Sequence, residues 1–340
     1  MDHKADETTG VLLLNLGGPD SLSAVRPFLF NLFSDRRIIR LGPSFMQKPL
    51  AYLISSLRAK KTMDAYRLIG GKSPISDITT AQAKALEEAL NSSKLLRVYV
   101  AMRYWHPLIE EIIPEIFKNG IKRLIVLSLY PQYSVATTGS SISKLNEVIS
   151  KYPIEIHVIN SWYDNTLYID ALVDKIRKGI ELFGQQTTPP HPPLGKGGLR
   201  GGEVHVLFSA HSLPVKFIEE GDPYVDHIRE TINGITKKID IKWSLSYQSK
   251  SGPVQWLEPS TEKMLEELAH KDIKNILVVP ISFVSDHIET LYEIDILYRN
   301  MAGKLGTKLN RIESLNTSPL FIKALKDIVV KGIKEAGWEG

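Results

Sequence analysis

The sequence predicts an α/β fold made of two similar doubly wound domains, each built on a parallel sheet. Three observations carry that expectation. Short apolar, β-branched runs alternate along the chain with amphipathic stretches, the pattern of parallel strands joined by right-handed helical crossovers. One stretch is echoed: Gly120-Ile121-Lys122 leads into the apolar run 123–130 and a polar loop, and Asp272-Ile273-Lys274 leads into 275–283 and another polar loop. Finally, two polar constellations each follow an apolar run, Ser209-Ala210-His211-Ser212-Leu213-Pro214 and the segment 285–295. Residues just past the C-terminal ends of strands line the ligand crevice in open α/β sheets.

In chain order, the first strand is expected at 11–16, stopped by Gly17-Gly18-Pro19. Residues 28–61 mix Phe45, Met46, Leu50, Tyr52, Leu53, Ile54 and Leu57 with Arg36, Arg37, Arg40, Lys48, Arg58, Lys60 and Lys61. That stretch reads either as an amphipathic helix on the core or as an apolar lip flanked by bases that favour anionic lipid. Helical periodicity follows at 80–90, then a strand at 96–101 and a helix at 108–118 opened by Pro107. The strands 124–129 and 154–159 flank a helix at 141–151, and a long helix covers 167–182. The second series runs strand 204–208, helix 224–238, strand 243–247, helix 260–270 and strand 276–281. Between two of these elements lies a Pro- and Gly-rich stretch, 187–202, read as a surface insertion rather than a linker. Its His191 has no metal-site partner nearby in sequence and reads as a solvated loop histidine.

Composition sets limits. The chain has 340 residues, 43% hydrophobic and 24% charged, enough for one large domain or two medium ones. A net charge of +4 is too mild to argue for nucleic acid. With no cysteine, disulfides, thiolate metal sites and cysteine-ligated iron–sulfur clusters are excluded. The first ten residues lack the apolar core of a signal peptide and the Arg-rich pattern of a transit peptide, and no run reaches the roughly 18 apolar residues of a membrane span. The expected location is the cytoplasm. Gly70-Gly71-Lys72-Ser73 lacks the leading glycine and the preceding strand of a phosphate loop, and Gly17-Gly18 is too short for a dinucleotide fingerprint. No nucleotide is expected.

The two constellations carry the chemistry. Asp286, Glu289 and Glu293 fall at i, i+3 and i+7, one face of an α-helix. Taken alone, Asp286 is equally an N-cap with Glu289 completing a capping box, and Glu289 with Glu293 is an ordinary solvated face. His211 alone is more often a satisfied core histidine. Its place past a strand, before Ser-Leu-Pro, favours a site, and a neutral histidine is the natural proton acceptor near pH 7. Carboxylates suit both proton removal and the handling of a divalent cation.

These segments resemble the signature regions of ferrochelatase, the enzyme family that inserts ferrous iron into a porphyrin. The resemblance extends, in order, to Leu14-Asn15-Leu16-Gly17-Gly18-Pro19, Tyr66-Arg67-Leu68-Ile69-Gly70-Gly71, Arg103-Tyr104-Trp105-His106-Pro107, Tyr130-Pro131-Gln132-Tyr133-Ser134 and Tyr247-Gln248-Ser249-Lys250, across about residues 10–330. It implies a chelatase-like pair of Rossmann-like domains, here 10–162 and 163–340, with the porphyrin in the cleft between them and the lip at 28–61. It implies His211 and Glu289 as catalytic residues, and His211, Glu289 and Glu293 as the groups that meet the metal, whether as ligands or as proton acceptors. Asp286 and His287 would support them, with His287 orienting Glu289 or Asp286 through a hydrogen bond.

Porphyrin contacts would come from Asn15, Leu16, Tyr66, Tyr104, Tyr130, Tyr224 and Trp256, with Arg103 and Ser134 meeting the propionates. Any of the aromatics could equally be plain core. His106 reads as structural. A third acid expected one turn beyond Glu293 is replaced by Leu297, which should stop the acidic line there. The implied reaction uses Fe2+ as a substrate and needs no cofactor and no iron–sulfur cluster. The partners would be porphyrin, iron and, through the lip, the inner face of a membrane. Protoporphyrin is the implied substrate. The competing readings are a chelatase with another metal or tetrapyrrole, coproporphyrin included, and a non-catalytic haem-binding protein.

Overall fold

A computed structural model describes residues 9–91, 96–184, 204–250, 252 and 254–338. The insertion 187–202, with His191, lies outside the described residues. Two four-stranded sheets, parallel throughout, organise the chain. The first holds β1 (Thr9–Asn15), β2 (Arg97–Met102), β3 (Arg123–Ser128) and β4 (Glu155–Ile159) in the order β2-β1-β3-β4. The second holds β5 (Val204–His211), β6 (Lys242–Gln248), β7 (Asn275–Pro280) and β8 (Lys308–Arg311) in the order β6-β5-β7-β8.

The two orders are the same pattern, second-first-third-fourth, the doubly wound order whose ligand crevice opens between the first and third strands. The echoed sequence stretches are β3 and β7, the third strand of each sheet. β1 and β7 are buried along almost their whole length, which is why they read as continuous apolar runs rather than alternating ones.

Helices α1 (Val25–Ser34) and α2 (Gln47–Leu68) pack on each other and fill the 28–61 region. The other helices of the first half are α3 (Ile75–Leu90), α4 (Ile109–Lys118) and α5 (Ser140–Ile149). The chain then runs through α6 (Thr166–Gly184), α7 (Val215–Glu219), α8 (Tyr224–Thr236), α9 (Thr261–His270), α10 (Arg299–Lys304) and α11 (Pro319–Glu335). Two segments, Val135–Gly139 and Glu289–Tyr298, are π-helical. Sequence reading did not separate α1 from α2, and it missed α11 and β8. β8 is a four-residue edge strand, Lys-Leu-Asn-Arg, in which only Leu309 is buried, so it carries no apolar run to read.

One core joins the halves. Val11 and Leu13 of β1, Val206 and Phe208 of β5, and Leu277 and Val279 of β7 belong to a single buried cluster, completed by α6 and α11. Leu12 and Leu14, with the opposite side-chain direction, pack instead under α4 and α5. α11 packs on α6 and also on α3, β3 and β4, so the end of the chain returns to the first sheet. After β1 the chain turns through Gly17, at φ +85, where a Cβ would lie 3.0 Å from the Met102 Cβ and 3.2 Å from the Trp105 nitrogen. Gly17 thus serves a close turn.

Candidate active site

The C-terminal ends of four strands converge on one cleft. β1 ends in Asn15 and Leu16, β3 leads to Tyr130, β5 ends in His211, and β7 leads to Ser282 and Phe283. About 810 Å³ of space, open solvent at its mouth included, lies within the cleft. Its apolar walls include Leu16, Leu32, Ile38, Leu213 and Phe283, with Tyr130, Tyr224 and Trp256 as aromatic surfaces. His211 and Glu289 also line it. Ser134 reaches the cleft too, yet its hydroxyl donates to Asp222 at 2.8 Å. Asp222 also accepts from the Val135 and Tyr224 amides and so ties the two halves together.

His211 Nδ1 lies 2.8 Å from Glu289 Oε2. The backbone under the ring is fixed: the His211 amide donates to Ser282 Oγ at 2.9 Å, and the Tyr224 hydroxyl donates to the His211 carbonyl at 2.9 Å. Burial alone would lower the histidine pKa, but the Glu289 carboxylate, helped by Glu293, holds it above the usual value. Burial alone would raise Glu289, but His211 and then His287 and Ser249 hold it well below the ordinary carboxylate range. Glu293 goes the other way, raised by burial and by the charge of Glu289 beside it. The two acids therefore differ in the way paired functional carboxylates often do: one kept charged, one ready to hold a proton.

Ser249, the first residue after β6, donates to Glu293 Oε2 at 2.6 Å and lies 3.0 Å from Glu289 Oε2. Among the described residues, no group of three or more histidines and acids is gathered in a form that could hold a metal ion. His211, Glu289 and Glu293 thus lie together as a hydrogen-bonded set rather than a ready cage.

Asp286 departs from the expected acidic line. The helix begins after it, and the segment from Glu289 is π-helical rather than α-helical. Asp286 is left in the preceding loop, where Arg311 Nη1 reaches its Oδ1 at 2.9 Å and Asn316 and Ser314 donate at 2.8 Å. It makes no backbone cap among the described hydrogen bonds, and its carboxyl is held low: Arg311, Asn316 and Ser314 outweigh burial. Arg311 also grips Asp295 at 2.7 Å, so one guanidinium pins both the loop and the π-helix. The hydrogen bond expected from His287 to Glu289 or Asp286 is not made. Its Nδ1 bonds the Ser285 carbonyl at 3.1 Å, its Nε2 is buried without a partner, and burial lowers its pKa. The His287 ring sits edge-on to Phe283, 4.2 Å between centroids.

Asn15 is held by Thr79 at 3.0 Å and accepts from the Leu16 amide at 2.8 Å, which sets the shape of the β1 end. Tyr66, Arg103 and Tyr104 are not among the residues lining the cleft. Tyr66, in α2, is buried in a cluster with α1, against which Ile288 packs. Arg103 pairs with Asp35 at 2.6 Å and donates to Ser140 at 2.9 Å, while the Tyr104 hydroxyl also donates to Asp35, at 2.7 Å. This buried knot fastens the loop after α1 to the first sheet and engages the Arg103 guanidinium. His106 bonds Glu111, whose other contact caps the Leu108 amide at the start of α4. Leu297 is 44% exposed, while the next residue, Tyr298, is buried and its hydroxyl lies 3.3 Å from Glu262.

Sequence reading assigned no role to Gln248, Ser249, Ser282, Phe283, Asp222, Asp35 or Arg311. The first four stand at or just past strand ends and were open to the rule that found His211. The last three show their partners only in the fold.

Comparison with known proteins agrees with this architecture. The family model described as Ferrochelatase matches residues 8–333. A ferrochelatase of Geobacter metallireducens is 51% identical over 329 residues, covering 96% of this chain and 98% of that protein. One from Desulfotalea psychrophila is 49% identical over 325 residues, covering 95% and 97%. Among solved structures, SirB from Bacillus subtilis with Fe3+ superimposes with a TM-score of 0.55 at 12% identity, covering 97% of this chain and 98% of that one. The sirohydrochlorin chelatase SirB from Bacillus subtilis subspecies spizizenii in complex with cobalt gives 0.54 at 11% identity, covering 98% of both. At such identity these two speak for the fold alone. With paired parallel sheets, a cleft at their strand ends and a match over nearly all its length, the chain belongs to the ferrochelatase family of porphyrin metal chelatases.

Proposed function

We propose that this enzyme inserts ferrous iron into protoporphyrin IX, with His211 and Glu289 removing the pyrrole protons and meeting the ion. The observation that carries the reading is the 2.8 Å His211–Glu289 pair within an apolar cleft. Two pyrrole protons must leave the macrocycle before a metal can take their place. With Nδ1 tied to Glu289, His211 has Nε2 left to accept a proton from substrate, and Glu289 stabilises the imidazolium that forms. Glu293, raised by burial and by Glu289, would take a proton or share the cation with Glu289. Leu213, Tyr130, Tyr224 and Trp256 suit a flat apolar ring. The ion is substrate, no resident cofactor is required, and the cysteine-free sequence offers no thiolate to a cluster.

The enzyme is further proposed to act in the cytoplasm and to touch the inner face of a membrane through its lip. Phe45 and Leu57 are 77% and 73% exposed, Tyr52 and Leu53 more than half, and Lys48, Arg58, Lys60 and Lys61 lie among them in sequence. No helix among the described residues is long and apolar enough to span a bilayer. Sedimentation with anionic vesicles should carry the protein down, and F45S/L57S should release it. Equal sedimentation of the two proteins would contradict the lip's role.

Anaerobic incubation of purified protein with Fe2+ and protoporphyrin IX or coproporphyrin, followed by absorbance, tests the reaction. Faster metallation of protoporphyrin supports the assignment. Faster metallation of coproporphyrin overturns the substrate choice, and binding without metallation overturns the activity.

A further inference from the structure

The geometry points to Ser249 as a positioning residue for metallation: its hydroxyl tethers the Glu293 carboxylate beside Glu289, so that the two acids meet the incoming divalent ion as a pair. The inference rests on the reading that Glu289 and Glu293 handle that ion.

Ser249 has a left-handed backbone, φ 68, one of three such non-glycine residues among those described. That conformation is uncommon outside glycine and asparagine, and it is retained only where surrounding structure holds it. Here it turns the first residue after β6 toward the π-helix. The result is one oxygen within hydrogen-bond distance of two carboxylates, 2.6 Å to Glu293 Oε2 and 3.0 Å to Glu289 Oε2. A hydroxyl carries one proton and donates fully to one acceptor at a time.

Glu289 has a second partner in His211 at 2.8 Å. Glu293 has little else. Gln248 Nε2 stands 3.4 Å from its Oε2, a long contact, and that amide also donates to the Glu289 carbonyl at 3.2 Å. To share a divalent ion with Glu289, Glu293 must give up its proton, and two adjacent buried carboxylates then repel each other until the ion arrives. Without the Ser249 hydroxyl, Glu293 would lose its best donor and swing away from Glu289. The hydroxyl therefore decides whether the second acid stays inside.

The test separates hydroxyl from backbone. Ser249→Gly keeps the left-handed turn without strain and removes only the donor. Ser249→Asn tolerates the turn and restores a donor. Ser249→Ala removes the donor and leaves the strain. Steady-state metallation with Fe2+ under anaerobic conditions is measured for all three, with porphyrin affinity followed by fluorescence. S249G and S249A should raise KM for Fe2+ about tenfold or more, the size of a lost hydrogen bond to a charged group, with porphyrin affinity unchanged. S249N should recover part of the loss. A crystal structure of S249G should show Glu293 turned away from Glu289.

An S249G enzyme with wild-type KM for Fe2+ would overturn the proposal, as would S249G with Glu293 still in place. Unmeasurable metallation by the wild-type enzyme would instead overturn the function on which it rests.

Discussion

His211 and Glu289 each set the other's charge. The carboxylate raises the histidine and the histidine lowers the carboxylate, each against the effect of burial. A raised histidine is still protonated at the ordinary histidine value, so the base is blocked there. The rate of metallation should climb with pH through a limb above that value, and the limb belongs to the pair rather than to one residue. Glu289→Gln removes the charge that raises the ring, and whatever activity remains should show its limb at lower pH. A limb that does not move would assign it to another group.

Glu293 touches Ser249 rather than His211, so Glu293→Ala should reduce kcat/KM less than Glu289→Ala. The reverse order, measured under identical conditions, would move the chemistry outward. At this scale the sequence was legible where a side chain follows an apolar run, as His211 and Glu289 do. It was silent on what Arg103 and Tyr104 bond. A motif does not say which side chain faces the cleft, and their partner Asp35 lies 68 and 69 residues away.

The π-helical segment Glu289–Tyr298 is the element that distinguishes this site. Spacing of i, i+3 and i+7 was read for an α-helix, and nothing in apolar periodicity separates α from π winding. Hence Glu289 and Glu293 met as expected, while Asp286 fell into a different network. Leu297 likewise faces outward, and Tyr298, with its hydroxyl near Glu262, takes the inner position beyond Glu293. What holds the segment is Arg311, 8% exposed, bound to Asp286 before it and to Asp295 within it. Arg311→Met would leave two largely buried carboxylates without their shared cation, a loss of roughly 3–5 kcal/mol. Denaturant unfolding should show that loss, and metallation should weaken with it because Glu289 is mis-set. Unchanged stability in R311M would mean the clamp is dispensable.

The two sheets repeat one strand order, and the echo between β3 and β7 was its trace in the sequence. Seven of the eight strands among the described residues were legible, and β1, β3, β5 and β7 most plainly, because buried parallel strands are dense in Val, Ile and Leu. The return of α11 to the first sheet was not, because periodicity marks a helix and not what it packs on. That return makes one core of the two halves. Leu325 of α11 is fully buried in it, so Leu325→Ala should cost about 2–5 kcal/mol. Hydrogen exchange should then lose protection in β1 and β5 together. Loss confined to one sheet would show that the halves unfold independently. The insertion 187–202, too rich in Pro and Gly to build a core, should be replaceable by a short Gly/Ser loop with activity and melting temperature nearly unchanged. A large loss of either would mean that it packs on the body.

The most direct test sets metallation against binding. Wild-type, His211→Ala and Glu289→Gln proteins, each confirmed folded by circular dichroism, are given Fe2+ and protoporphyrin anaerobically. Metallation is followed by absorbance and porphyrin binding by fluorescence. The predicted result is porphyrin bound by all three, with metallation reduced by roughly 10²–10⁴-fold in both variants. Near-normal turnover in either folded variant would contradict the assignment of the His211–Glu289 pair as the group that does the chemistry.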